Sequence, residues 1–347
     1  MNLLPIIVTI PARNEAGRIA ACLQALARQP AARQHIAAVC VFANNCTDAT
    51  VAVVGAMQLP FSVRIVDAQL PPAKAHIGYA RRGAADLALT TIQAQGLDDA
   101  IIFSTDADSQ VANDWLSALV AAMAPAVDAV CGAIDLDGPV APTLAAARAV
   151  EARYAEAVAR AAALLDPQAH DPWPNHIWCW GANIAVRARC LMAVGGMPTV
   201  KLAEDRALHA ELLRHDARIR HSVAPRVITS ARLKGRAPGG LADLMTSYSA
   251  DPEALADYWL EPAATAWHRA AIRGAARRAW GDQPGFGAYW FAVEASDPTL
   301  TPTRVTIADL PAEIQKLEGW IRIATSRADT LLRAAETPLE RPAATHG

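Results

Sequence analysis

The sequence predicts an α/β fold with a mostly parallel sheet flanked by helices, and three observations carry that expectation. Short apolar runs rich in β-branched residues recur along the first two thirds of the chain. Stretches of helical period and crossover length separate them, as parallel βαβ units require. The runs are apolar throughout rather than alternating, which suits strands covered on both faces. The first occupies residues 3–10 and ends at Pro11, with a helix expected over 15–27. Strands follow at 36–43, 63–66, 100–105 and 127–134, with helices at 48–57, 74–94 and 113–124 between or after them. A helix is expected over 142–165, then a Pro-rich loop at 166–174 whose composition suggests mobility. A short strand at 182–187, a helix at 204–214 and edge strands at 219–223 and 226–228 complete the pattern. From about Gly239 the composition shifts to Ala, Trp and Arg with a helical period. The expected division is therefore a sheet domain over 1–238, a helical extension over 239–335 and a frayed tail over 336–347.

Composition narrows the function classes. At 347 residues the chain holds one large domain or two ordinary ones and buries a core without staples. Hydrophobic residues make up 53% and charged residues 19%, which excludes disorder of the whole chain. Lys and Arg number 32 against 34 Asp and Glu, a net charge of −2, so the broad positive footprint of a nucleic-acid binder is missing. Six cysteines form no C-x-x-C pair, so neither a zinc knuckle nor a dithiol motif is suggested and reduced thiols are expected. No run approaches the roughly 18 apolar residues of a spanning helix, and the N-terminus lacks the basic start of a signal peptide. A soluble, cytoplasmic protein is expected, at most peripheral to the inner face of a membrane. Arg269, Arg273 and Arg277, four residues apart among tryptophans, form either a basic surface for anionic lipid or a solvated helix face, and the second is favoured.

Four features carry chemistry. Asp106-Ala107-Asp108 follows the fourth strand, where residues i and i+2 of an extended segment point the same way. Two hard oxygen ligands at the ligand edge of a parallel sheet suit Mg²⁺ or Mn²⁺, although such pairs also arise as turn residues. Pro11-Ala12-Arg13-Asn14-Glu15 ends the first strand and Asn44-Asn45-Cys46-Thr47-Asp48 the second; both serve as helix caps or as a nucleotide-binding rim. No G-x-G-x-x-G follows either strand, which argues against a nicotinamide site. Glu204-Asp205 opens a helix, where acids commonly cap, but an Asp205 facing the cleft would be a general base. Upstream, Trp178-Cys179-Trp180-Gly181-Ala182-Asn183 offers aromatic faces and the Asn183 amide. Arg232, Lys234 and Arg236 around Gly235 are placed to clamp a diphosphate, and Lys74, Arg81 and Arg82 share a helix that can reach the same cleft. His176 and His221 are candidate metal or substrate ligands, a lone His being more often structural.

Together these residues resemble the family 2 glycosyltransferases, inverting enzymes of the GT-A fold. The resemblance runs through 8–15, 44–48, 106–108, Gly195-Gly196 and Glu204-Asp205 in the family's order, and covers roughly residues 3–235. It implies that Pro11, Ala12, Arg13 and Glu15 border the nucleoside of a nucleotide-diphosphate-sugar donor. Asp106 would contact the nucleotide, Asp108 with Asp106 would hold a divalent ion, and Asp205 would be the base that deprotonates an acceptor hydroxyl. Lys74, Asn183, Glu204, Arg232 and Arg236 are the further donor-site candidates. One departure concerns the second turn, where the family's Asp pair is replaced by Ala43 and Asn44. Asn44 both accepts and donates, so uracil is less firmly implied as the donor base. The Q-x-x-R-W motif of processive members is absent, which favours single-sugar transfer. A sugar-phosphate nucleotidyltransferase shares the sheet and the acids but presents a Gly-rich basic loop after its first strand, which 11–15 is not. A non-catalytic nucleotide-sugar-binding subunit is the other alternative, and joint retention of Asp106, Asp108, Glu204 and Asp205 weighs against it.

Overall fold

A computed structural model describes residues 5–336 apart from 98, 234, 236–238 and 252. The chain runs β1 (Ile6–Ala12), α1 (Ile19–Ala27), α2 (Ala32–His35), β2 (Ile36–Asn44), α3 (Thr50–Gly55), β3 (Ser62–Ala68) and α4 (Ile77–Ala94). It continues through β4 (Ile101–Ser104), β5 (Gln110–Val111), α5 (Trp115–Ala122), β6 (Ala129–Asp137), α6 (Pro142–Leu165), β7 (Ile184–Arg187) and α7 (Ala188–Ala193). After α8 (Glu204–Arg214) and β8 (Ile219–Ser230) come four further helices: α9 (Leu241–Ala250), α10 (Ala263–Trp280), α11 (Phe286–Ser296) and α12 (Leu310–Glu336).

The strands form one eight-stranded sheet in the order β3-β2-β1-β4-β7-β6-β8-β5. β1 to β4 are mutually parallel, while β7 runs antiparallel to both β4 and β6. The sheet is therefore mixed, a mostly parallel design with two reversed strands, β7 and the short β5 antiparallel to β8. Alternation along β1 shows why its run is apolar throughout. Ile6, Val8 and Ile10 face a layer containing Leu23, Leu26 and Trp115, whereas Ile7 faces the opposite layer with Ala85, Ala88, Leu208 and Leu212. The C-terminal helices build a third core around Tyr154, where Leu260, Leu310 and Leu317 pack on α6. No helix among the described residues is long and apolar enough to cross a membrane.

Several expectations are corrected. Residues 15–18 form turns before α1, because Glu15 is held by other loops, and α4 begins at Ile77, leaving Lys74 outside it. The two expected edge strands after α8 are one strand, β8, whose register shifts opposite Gly132 and Ala133 and which β5 covers over two residues. The loop after α6, read as mobile, is tied at both ends: Asp166 accepts from Arg273 (2.6 Å) and Arg277 (2.8 Å), and Asp171 accepts from Arg220 and His221. Arg269 pairs with Glu261 and Glu294, so the three arginines neither form a free basic stripe nor stand in water as an isolated set.

Asn183 is also reassigned. Its amide is 2% exposed, donates to the carbonyls of Ala133 (2.7 Å) and Pro225 (2.9 Å), and accepts from the Trp115 indole (3.4 Å). It seals the seam between β6, β8 and the start of β7 instead of facing a ligand. Asn183→Ala leaves those buried groups unpaired and is expected to lower stability by about 2–5 kcal/mol in denaturant unfolding, with ligand affinity of the folded fraction unchanged.

Candidate active site

The carboxyl ends of β1, β2 and β4, the reversed start of β7 and the first turn of α8 converge on a cleft of about 740 Å³. Two loop contacts shape its nucleoside end. Asn14, in the left-handed region at φ 56°, accepts from the Thr47 amide at 2.7 Å, and the Glu15 amide donates to Thr50 Oγ1 at 2.8 Å. The loops after β1 and β2 thus fix one another. Asn44 ends β2 at 2% exposure, lines the cleft, and its Oδ1 has no hydrogen-bond partner among the described residues.

The centre of the cleft is organised by Arg81 from the second turn of α4. Its guanidinium, 5% exposed, donates from Nη2 to Asp106 (2.6 Å) and from Nε to Glu204 (2.8 Å). Nη1 donates to Ser104 Oγ and to the Gly181 carbonyl, both at 2.8 Å. Burial works against the charged guanidinium, but Asp106, Glu204 and Asp205 together push its pKa up, so it stays a cation. Gly181 must be glycine here, because a Cβ would lie 2.6 Å from Arg81 Nη2. Burial pushes the Glu204 carboxyl up, with Arg81 opposing it.

Asp205 is the neighbouring acid on α8. Its Oδ2 accepts the Gly181 N–H at 2.9 Å and its Oδ1 the Arg206 N–H at 2.8 Å, which orients the carboxylate at the cleft wall. Ala203, immediately before the helix, is held at φ 61°, a conformation L-residues adopt only when their surroundings impose it.

Arg232 gathers the remaining acids. It forks onto Glu15 (2.7 and 3.1 Å) and reaches Asp108 at 2.9 Å. Glu15, read as a helix-opening acid, is thus a 5%-exposed partner of a residue far along the chain. Burial first, then the charges of Asp106 and Glu15, push the Asp108 carboxyl up to about 6, with Arg232 opposing them.

Of the sequence-predicted residues, Pro11, Ala12, Arg13, Glu15, Asn44 and Asp106 line this one cleft, as do Asp108, Glu204, Asp205 and Arg232. Lys74 does not: its ammonium lies over the Tyr79 ring, 5.4 Å from the centroid. Asn183 is in the sheet seam, and Arg236 and Lys234 lie outside the described residues. Trp178 and Trp180 stack at 5.2 Å, but only Trp180 reaches the cleft while Trp178 packs against the Tyr154 core. Asp257, Tyr258 and Arg304 also line the cleft and were not anticipated, since nothing in the helical period of the extension marks them.

A mixed sheet flanked by helices, with a D-x-D turn at the carboxyl edge of its parallel half, agrees with the GT-A fold that the sequence resemblance implies. Residues 7–156, a little under half of the chain, match the family model described as glycosyl transferase family 2. No curated protein matches the chain. Among solved structures it is similar to TarS 1–349 of S. aureus, in complex with UDP-GlcNAc, at 18% identity and a TM-score of 0.46. That likeness covers 72% of this chain and 63% of the other, so the chain spans less than two thirds of TarS 1–349. It is also similar to the mannosyltransferase PcManGT of Pyrobaculum calidifontis, in complex with GDP-Man and Mn²⁺, at 19% identity and a TM-score of 0.47, covering 91% and 88%.

The raised Asp108 pKa has a thermodynamic sign. A folded value above the unfolded one means the native state binds the proton more tightly between about pH 4 and 6, so stability falls as pH rises through that window. Asp108→Asn is therefore expected to raise the melting midpoint at pH 7 in metal-free buffer by a few degrees, and to flatten the loss seen between pH 4 and 6. An unchanged pH profile contradicts the crowding of charge at this position.

Proposed function

We propose that the protein is an inverting glycosyltransferase that moves a single sugar from a nucleoside-diphosphate sugar to an acceptor hydroxyl, with a divalent ion at the diphosphate and Asp205 as general base. The observation that carries this reading is the Arg81 guanidinium, which joins Asp106 of the D-x-D turn to Glu204 beside Asp205 and so unites donor acids and base in one cleft. In this reading residues 1–238 form the catalytic unit, and the extension over 239–335 closes the cleft with Asp257, Tyr258 and Arg304.

The acids at 106 and 108 fit Mn²⁺ or Mg²⁺. They are hard oxygen donors, and Asp108 stands in an excess of negative charge from Asp106 and Glu15. When bound, such an ion supplies charge stabilisation at the leaving diphosphate. Arg232 can turn its fork from Glu15 and Asp108 to phosphate oxygens, a geometry guanidinium shares between carboxylate and phosphate. Arg13 and Glu15 border the nucleoside, and the unpartnered Asn44 oxygen accepts an N–H of the base.

Transfer builds positive charge at the anomeric carbon as the bond to phosphate breaks. The acceptor oxygen attacks from the opposite face and loses its proton to Asp205, so one displacement inverts the centre. Two backbone N–H groups donate to that carboxylate and aim it. Arg13, the single cation of the first loop, donates to the Ala75 carbonyl at 3.0 Å, which is not a triphosphate grip. That favours transfer over nucleotidyl chemistry.

Asp205→Asn is expected to keep donor affinity while kcat falls about 10²–10⁴-fold, read by isothermal titration and by product release. An equal loss of both refutes the base assignment. Chelation is expected to abolish turnover and added Mn²⁺ to restore it, with Asp108→Asn requiring far more ion for the same rate. Turnover that persists in chelator removes the metal from the proposal.

A further inference from the structure

A second cluster of ligand-type side chains lies beneath the sheet, apart from the cleft acids. Cys131 of β6, His209 of α8 and His221 of β8 bring one ligand atom each within 4.8 Å of one another. Cys131 is fully buried and His209 is 5% exposed. His221 donates Nδ1–H to Asp171 Oδ2 at 2.8 Å, and its backbone N–H donates to the other oxygen of the same carboxylate at 2.8 Å. With Nδ1 engaged by that carboxylate, Nε2 is the ring nitrogen turned inward, the arrangement by which outer carboxylates orient metal-ligating histidines. The inward Nε2 atoms of His221 and His209 stand 3.0 Å apart, near the roughly 3.3 Å edge set by two Zn–N bonds on a tetrahedral ion. Cys179, buried at 2% exposure, neighbours Cys131 but lies outside that group of ligand atoms. His209 Nδ1 has no partner among the described residues, and its ring packs edge-on to Trp259 at 5.2 Å.

We propose that Cys131, His209 and His221 bind a Zn²⁺ ion, with Asp171 as the outer partner of His221. The donor set separates this site from the cleft by chemistry. A thiolate sulfur and two imidazole nitrogens select a borderline-soft ion, whereas Asp106 and Asp108 select a hard one. Its position gives it a task. His209 lies one turn after Asp205 on α8, the Cys179 thiol donates to the Asp205 carbonyl at 3.7 Å, and Gly181 two residues later holds the Asp205 carboxylate. An ion here rivets α8, which carries Asp205, to β6 and β8.

The test is metal analysis of the full chain expressed with Zn²⁺ and purified without a chelating resin, followed by replacement of zinc with Co²⁺. Expected are stoichiometric zinc and, with Co²⁺, a thiolate-to-metal charge-transfer band in the near ultraviolet. Cys131→Ser is expected to lose both, and Asp108→Asn to keep both. Should Cys131→Ser fail to fold, His209→Asn serves instead, losing stoichiometric zinc while Asp108→Asn retains it. A folded wild-type chain without zinc and without the cobalt band overturns the site. So does loss of zinc on Asp108→Asn, which would put the ion at the carboxylates.

Discussion

The buried Arg81 guanidinium is the interaction on which the cleft depends. Removing a cation and two carboxylates from water costs several kcal/mol per ion, and a pair of this kind often contributes little net stability. Its worth lies in geometry. Ser104 at the end of β4, Asp106 in the turn beyond it, Gly181 before β7 and Glu204 at the start of α8 come from three regions of the sequence, and one planar fork holds all of them. A lysine would offer a point charge without the fork, and an apolar residue would leave the buried Glu204 and the part-buried Asp106 without this partner. The absence of a side chain at Gly181 follows from the same requirement, since the guanidinium lies where its Cβ would be.

A second cation balances the other side of the cleft. Arg232 neutralises Glu15 and Asp108 with one fork, leaving the D-x-D acids divided between two arginines. The compensation is incomplete at Asp108, whose carboxyl remains raised by burial and by its acidic neighbours. Such residual repulsion is a native-state cost that a bound cation relieves, and it is the usual mark of a functional site rather than of a structural ion pair. Fixed positive ends and mobile partners are thus distributed differently: Arg81 is locked by four hydrogen bonds, whereas Arg232 sits on the segment leaving β8 and is 22% exposed.

The helical extension is part of the same body. Tyr154 of α6 donates its hydroxyl to the Glu261 carbonyl, and the arginines of α10 close onto Asp166, Glu261 and Glu294. The stripe that reads as a basic amphipathic face is neutralised by acids spread over more than a hundred residues, a pairing no local pattern displays. Gly274 allows α10 to meet the end of α6, where any Cβ would fall 2.1 Å from the Leu165 carbonyl. The extension in turn brings Asp257, Tyr258 and Arg304 to the cleft wall.

The sequence alone determined the sheet and its acidic edge. The burial of β1 on both faces, the helix at Pro142–Leu165 and that at Glu204–Arg214 are local consequences of apolar patterning, and they stand where the pattern puts them. The D-x-D turn and the α8 acids are legible because their chemistry is written in adjacent residues. Pairings across the chain were not legible. Arg81 and Lys74 look alike as basic residues near one helix, yet only the helical phase of α4 turns Arg81 into the cleft, while Lys74 precedes the helix and lies against Tyr79. Asn183 carries the same amide as Asn44, but the reversed strand β7 turns it into the sheet seam. The Cys131, His209 and His221 group has no short spacing at all and exists only because β6, β8 and α8 stack. Local chemistry is set by neighbours along the chain, whereas the partner of a buried charge or ligand is set by which strands lie side by side, and that is decided by packing.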